Sequence, residues 1–167
     1  MVMQVLTKEK ILEILHEIKD PEIPAVSIVE MGMVRDVEIN GNSVNVIITP
    51  TYSGCPAIKV IELDIAMSLK TSGISNFNIR QKLSPPWTTD WMSDETKEKL
   101  RKFGIAPPGK TEEMSALDFL EERSPEVRCP YCGSEDTELK SEFSSTACKS
   151  MYMCHACSQP FEHFKCH

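Results

Sequence analysis

Cysteines are the side chains of this chain most suited to metal or redox chemistry, and they are unevenly distributed. Six of the seven lie in the last 39 of the 167 residues, and only Cys55 precedes them. The six are Cys129, Cys132, Cys148, Cys154, Cys157 and Cys166. In a reducing compartment such crowding indicates a metal site or thiol chemistry rather than a set of disulfides. The cysteines therefore divide the chain into two regions.

Four of these cysteines form two Cys-x-x-Cys pairs, Cys129 with Cys132 and Cys154 with Cys157, separated by 21 residues. Each pair places two thiolates on one side of a tight turn, and two such turns complete a tetrahedron around one ion. Four protein ligands leave no position for water, so we predict a structural metal. Zinc is the default, although iron also accepts four thiolates. The last 40 or so residues bury too little surface to fold alone, so the metal would supply their folding free energy.

Cys148 and Cys166 flank the second pair at a greater distance. The segments 149–153 and 161–165 are predicted to form antiparallel strands around that pair. If Met153 lies opposite Phe161, Cys148 lies directly opposite Cys166. The two thiols would then form a buried reduced pair, a reversible disulfide, or part of a second metal site. A shift of the register by one residue weakens this argument considerably.

Cys55 stands apart, in the loop Thr49–Cys55 before a predicted helix. Exposed amides and the helix dipole favour a thiolate there, so we predict a pKa below about 8.5. Such a thiol suits a nucleophile or a ligand for a soft metal. No histidine lies near it in sequence, which disfavours a Cys-His hydrolase. The acidic turn with Asp20 and Glu22 is a candidate to approach Cys55 and share a metal with it.

The elements that must position these residues follow from hydrophobic spacing. A helix capped by Thr7 ends before Asp20-Pro21, a hairpin turns at Asn40-Gly41, and a helix over 57–71 precedes a third strand. The fold class is therefore α+β, a small mixed-sheet domain with the order helix-strand-strand-helix-strand. We predict this domain over residues 1–105, an acidic linker over 106–126, and a four-cysteine zinc ribbon over 127–167.

Trp87 and Trp91 lie in a proline-rich loop after the third strand. Three interpretations remain open for them. They form a lid over the Cys55 loop, a patch that docks a partner, or a flap that covers the small sheet.

Charge and hydropathy exclude several classes of protein. The net charge is −7, with 18 basic against 25 acidic residues, which disfavours nucleic-acid binding. No apolar run reaches the roughly 18 residues of a membrane span. The first residues lack the pattern of a signal peptide, so we expect a cytoplasmic protein. The paired Glu-x-x-His motifs of a di-iron oxygenase do not occur, and we predict no catalytic residue.

Several motifs resemble those of known families. Asp20-Pro-Glu-Ile-Pro, Met31-Gly-Met-Val-Arg35 and Thr49-Pro-Thr-Tyr-Ser-Gly-Cys55-Pro resemble the small domain of iron–sulfur cluster assembly factors of the SufT kind. Pro86-Trp-Thr-Thr-Asp-Trp91 and the segments around Cys148 and Cys166, added to that domain, resemble the PaaD family. Its members are the D components of phenylacetyl-CoA oxygenase (1,2-epoxidase) systems.

The resemblance implies an accessory role in aerobic phenylacetate degradation. It implies maturation or insertion of an iron–sulfur or di-iron centre in the oxygenase and reductase subunits, with a transient iron or cluster at Cys55, Asp20 and Glu22. Two alternatives stay open: a scaffold protein that docks through Trp87 and Trp91, and a thiol-redox protein that uses Cys148 and Cys166. A second copy of the chain is a further candidate partner.

Overall fold

The computed structural model describes residues 6–52, 54–108 and 127–165, and the chain forms two compact units, Met1–Trp87 and Thr88–His167. The elements of the first unit are α1 (Lys8–His16), β1 (Val34–Asn40), β2 (Ser43–Ile48), α2 (Ile58–Thr71) and β3 (Phe77–Gln81). Those of the second are a short 3-10 helix (Thr89–Trp91), α3 (Asp94–Lys102), β4 (Ile105–Ala106), β5 (Thr137–Ser141), β6 (Lys149–Cys154) and β7 (Pro160–Phe164).

The first unit is a three-stranded mixed sheet with two helices, as predicted. Strands β1 and β2 are antiparallel, and β3 runs parallel to β2. Gly41 turns the hairpin at a φ of +62°, a conformation that favours glycine. The Thr7 hydroxyl accepts from the Lys10 N–H and caps α1. The buried core joins both helices to the sheet through Ile11, Leu15, Val37, Val44, Val46, Ile48, Ile61, Ile65 and Leu69.

Trp87 belongs to this core. Its side chain is only 3% exposed, and its indole N–H donates to the Met31 carbonyl at 2.9 Å. The predicted docking role of Trp87 is therefore wrong, because a partner cannot contact a ring that the protein already covers. Trp91 lies in the second unit and is half-buried. Its docking role stays a prediction.

The second unit is a four-stranded sheet in the order β4-β7-β6-β5. Strands β5, β6 and β7 are antiparallel, and the two-residue strand β4 runs parallel to β7. The segment from Thr88 groups with this sheet, whereas the sequence pattern assigns residues up to 105 to the first domain. The reason is that Ile105 and Ala106 pair with β7, a contact that no local pattern indicates. Residues 109–126 of the predicted linker lie outside the described residues.

The register of β6 and β7 differs from the prediction by one residue. Tyr152, and not Met153, lies opposite Phe161. The Cys154 N–H donates to the Gln159 carbonyl at 3.0 Å, and this bond closes the turn and sets the pairing. In the same register the Lys165 N–H donates to the Cys148 carbonyl, so Lys165 takes the place predicted for Cys166. Cys166 itself lies outside the described residues.

Candidate metal centre and the Cys55 loop

The four cysteines of the two Cys-x-x-Cys pairs converge on one point. Their sulfur atoms all lie within 4.8 Å of one another. The Sγ–Sγ distance is 3.7 Å from Cys129 to Cys157 and 3.6 Å from Cys132 to Cys154. Thiolates placed about 2.3 Å from a tetrahedral zinc are about 3.8 Å apart, so the cluster has the size of a metal site. Among the described residues, no other group of three or more Cys, His, Asp or Glu side chains comes this close together.

Two tight turns hold these sulfurs. In the first, the Gly133 N–H donates to the Cys129 carbonyl, with Gly133 at a φ of +76°. In the second, Ser158 adopts a φ of +57°. Backbone N–H groups point at the sulfurs: that of Ser134 at Cys132, and that of Gln159 at Cys157. Such bonds favour thiolates, which are the form that binds a metal.

The cluster cannot carry four negative charges by itself. Burial opposes ionisation of Cys154, but hydrogen bonds from the Cys157 backbone and the neighbouring thiols lower the pKa of Cys154 to about 7. Burial and the other thiols raise the pKa of Cys157 to about 12. A bound cation removes this conflict, because it attracts all four thiolates at once. The four cysteines therefore form a closed metal site of the zinc-ribbon type.

A buried ion pair at the other end of the ribbon was not predicted. The Lys149 Nζ lies 2.7 Å from Glu162 Oε2, with the lysine side chain 4% exposed. The Glu162 Oε1 accepts from the hydroxyls of Ser144 and Ser145. Burial works against the charge, but these donors lower the pKa of Glu162. The pair depends on the register of β6 and β7, so no sequence motif could have indicated it.

Cys55 lies in the loop before α2, as predicted, and is half-buried. Its N–H donates to the Tyr52 carbonyl at 3.0 Å, and the N–H groups of Ala57 and Ile58 favour a thiolate. The predicted low pKa is nevertheless wrong. Burial, together with the negative charges of the acidic turn, outweighs the helix amides and raises the pKa of Cys55. The thiol is therefore protonated at neutral pH.

The acidic turn supplies those charges. Glu22 and Asp20 both raise the pKa of Cys55, so the fold brings them close to the thiol across more than 30 residues of sequence. Asp20 is buried, and its Oδ1 accepts from the backbone N–H groups of Glu22 and Ile23, each at 2.8 Å. The three side chains do not form a cage of closely spaced ligands such as the four cysteines form. Instead, the two carboxylates place the Cys55 thiol in a negative electrostatic field, and such a field attracts cations.

No helix in the described part of the chain is long and apolar enough to cross a membrane.

Comparisons with known proteins match both units. Residues 8–74 match the model of an iron–sulfur cluster assembly protein, and residues 114–165 match the model of the PaaD zinc beta ribbon domain. The "Fe-S protein maturation auxiliary factor" of Porphyromonas gingivalis is 32% identical over 96 residues, which cover 56% of this chain and 90% of that protein. The crystal structure of a domain of unknown function, DUF59, from Bacillus anthracis is 30% identical with a TM-score of 0.53, and the match covers 56% of this chain and 90% of that one.

A third relative aligns along almost its full length. The D component of the 1,2-phenylacetyl-CoA epoxidase of Escherichia coli (strain K12) is 44% identical over 157 residues, which cover 94% of this chain and 92% of that protein. Both domain models also match here, in the order assembly domain and then ribbon. This chain therefore belongs to the PaaD family.

Proposed function

We propose that this protein matures an iron–sulfur or di-iron centre in the oxygenase or reductase subunits of a phenylacetyl-CoA epoxidase system, in aerobic phenylacetate degradation. The observation that carries the proposal is Cys55, a half-buried thiol beside Asp20 and Glu22 in a domain of the iron–sulfur assembly family. The name of the E. coli relative supplies the client complex.

The chemistry of the Cys55 loop suits a cargo that must leave again. Without cargo the thiol keeps its proton, because burial and the two carboxylates oppose a third negative charge. An arriving iron ion or cluster is positively polarised and displaces that proton to solvent as the sulfur bonds to iron. A single thiolate with two carboxylates holds iron less firmly than four thiolates, so transfer to an iron–sulfur client, which has more cysteine ligands, is downhill.

The ribbon has a different role in this proposal. The four cysteines bind zinc, which completes the fold of the second unit and exposes no position for water or substrate. Zinc is preferred to iron because Zn²⁺ has no redox chemistry and therefore does not react with oxygen. Metal analysis of protein prepared without oxygen, with Cys55 and the ribbon cysteines mutated separately, tests both assignments at once.

The experiment that tests the proposal measures client occupancy in cells. Oxygenase and reductase subunits are purified from cells carrying Cys55→Ser, and their iron and acid-labile sulfide are determined. We expect a loss of iron or sulfide in one client. Cys148→Ser is the matched control, since Cys148 is a buried thiol outside both sites. Full occupancy in both clients with Cys55→Ser would exclude the proposal.

A scaffold role is the second candidate function. Exposed aromatic rings on the second unit favour it, in particular Tyr131 and Phe143. A scaffold tolerates Cys55→Ser without loss of client metal, whereas Trp91→Ala or Tyr131→Ala loosens the complex in size-exclusion chromatography. The thiol-redox alternative loses its geometric support, because Lys165 occupies the position opposite Cys148.

A further inference from the structure

Helix α2 has an apolar stripe on its outer face in addition to the one that faces the core. Ile61, Ile65 and Leu69 are fully buried in the core. On the opposite side Val60, Leu63 and Met67 are 45%, 64% and 65% exposed. The spacing of this second set, i, i+3 and i+7, forms one continuous line along the helix. Three neighbouring exposed apolar side chains in one line form a candidate interaction surface.

The stripe follows the pattern of a parallel two-stranded coiled coil. With Val60 and Met67 at heptad position a and Leu63 at d, the first a position is β-branched, the second is the unbranched Met67, and leucine occupies d. A β-branched residue at a with leucine at d favours two parallel strands. Lys70 takes the next d position near the end of the helix, where its long aliphatic stem can cover the seam while its charge stays in water.

The charges beside the stripe support pairing with a second copy. Lys59 occupies position g, and Asp64 occupies position e of the following heptad. In a parallel pair each g residue lies beside the e residue five positions later in the other chain. Lys59 of each copy therefore meets Asp64 of the other, giving two symmetric ion pairs. An antiparallel pair does not form these two ion pairs, because g then faces g and e faces e.

In the described part of this unit, no strong contact prevents Lys59 from exchanging its present partner, Glu62, for Asp64 of a second copy. Lys59 contacts Glu62 at 3.0 Å, but its side chain is 77% exposed, so this pair is weak and easily replaced. Glu62 keeps a second partner, since Gln81 Nε2 donates to its Oε1 at 2.7 Å.

We propose that the protein forms a parallel homodimer through the exposed stripe Val60, Leu63 and Met67 of α2. Because the helices run in the same direction, both α2 N-termini, and with them both Cys55 loops, lie at the same end of the dimer. The inference does not depend on what Cys55 does.

Sedimentation equilibrium of the full, metal-loaded chain tests the proposal. The wild-type protein is expected to dimerise, and Leu63→Glu to weaken the dimer by at least about tenfold. Leu83→Glu is the matched control, because Leu83 is 58% exposed in the same unit but lies outside the stripe. Circular dichroism verifies that both variants fold. The proposal would be overturned if the wild-type chain were monomeric or if the two variants had equal effects. It would also be overturned if the stripe bound only a client protein.

Charge exchange and cross-linking test the orientation. Lys59→Glu and Asp64→Lys alone should each weaken the dimer about fivefold, and the double variant should restore it. In a Cys55→Ser background, which should itself stay dimeric, Met67→Cys should cross-link to Met67→Cys of the other copy. The parallel pair would be excluded if the double variant did not reverse the weakening. It would also be excluded if cross-links formed only between Val60→Cys and Met67→Cys.

Discussion

The two sulfur sites of this protein differ in how completely the chain surrounds them. In the ribbon, four sulfurs lie within 4.8 Å of one another and backbone N–H groups point at them. At Cys55 one half-buried thiol lies near two carboxylates that already have backbone hydrogen bonds or solvent contact. A closed set of four thiolates retains an ion. Under the proposed function, the lone thiol at Cys55 instead binds an ion or cluster that can leave, so one chain would combine retention with exchange.

The largest expected effect comes from removing the ribbon metal. A chelator, or Cys154→Ser, should unfold the second unit, because structural zinc supplies about 10 kcal/mol of folding free energy in such domains. The amide signals of the second unit in a ¹H–¹⁵N NMR spectrum should lose their dispersion, while those of the first unit keep theirs. Cys148→Ser is the control and should retain stoichiometric metal. A second unit that stays folded without metal would contradict the structural role.

Trp87→Ala tests whether the first unit depends instead on its apolar core. The loss of a buried indole should lower the free energy of unfolding by about 3–5 kcal/mol. Urea titration followed by far-UV circular dichroism measures this. Trp87→Phe keeps most of the packing but loses the hydrogen bond to Met31, so it should cost about 1 kcal/mol beyond the loss in size. An unchanged unfolding midpoint for Trp87→Ala would mean that the ring is not part of the core.

The negative field at Cys55 predicts how its reactivity changes with pH. Since the pKa of Cys55 is raised, its alkylation by iodoacetamide should keep increasing above the pH at which an ordinary thiol has levelled off. Glu22→Gln removes one opposing charge and lowers the pKa, so alkylation at about pH 8 should become about two- to fivefold faster. Peptide mass spectrometry identifies Cys55 among the other cysteines. Glu13→Gln removes an exposed charge from α1 and should leave the rate unchanged.

The smallest expected effect, that of Cys55→Ser on stability, gives the clearest contrast between Cys55 and the ribbon cysteines. Cys55→Ser should change the free energy of unfolding of the first unit by less than about 0.5 kcal/mol, because a half-buried thiol without a bound ion contributes little. The corresponding serine substitution in the ribbon removes a metal ligand and should be far more harmful. Thermal unfolding of both variants measures the contrast. Equal losses would show that Cys55 is a structural residue after all.

The features that sequence alone predicted are those that depend on neighbours along the chain. Thr7 caps α1 and Gly41 turns its hairpin, because each forms bonds or adopts a conformation within a few residues. The two Cys-x-x-Cys pairs indicated the metal site for the same reason: each pair forms a self-contained turn. The mixed sheet followed from the order of these elements.

The features that only the tertiary structure decided depend on residues distant in sequence. The pKa of Cys55 rises because the fold buries the thiol and also places Glu22 and Asp20 near it, so the local helix argument gave the wrong sign. Trp87 is buried in the core of the first unit, where the carbonyl of Met31, 56 residues away in sequence, accepts the hydrogen bond of its indole N–H. The register of β6 and β7 depends on how Cys154 and Gln159 close their turn, and a shift of one residue moves every partner. Hydrogen bonds between sequence neighbours can be predicted from the sequence. Burial, electrostatic effects between distant residues and strand register arise only when distant segments pack together.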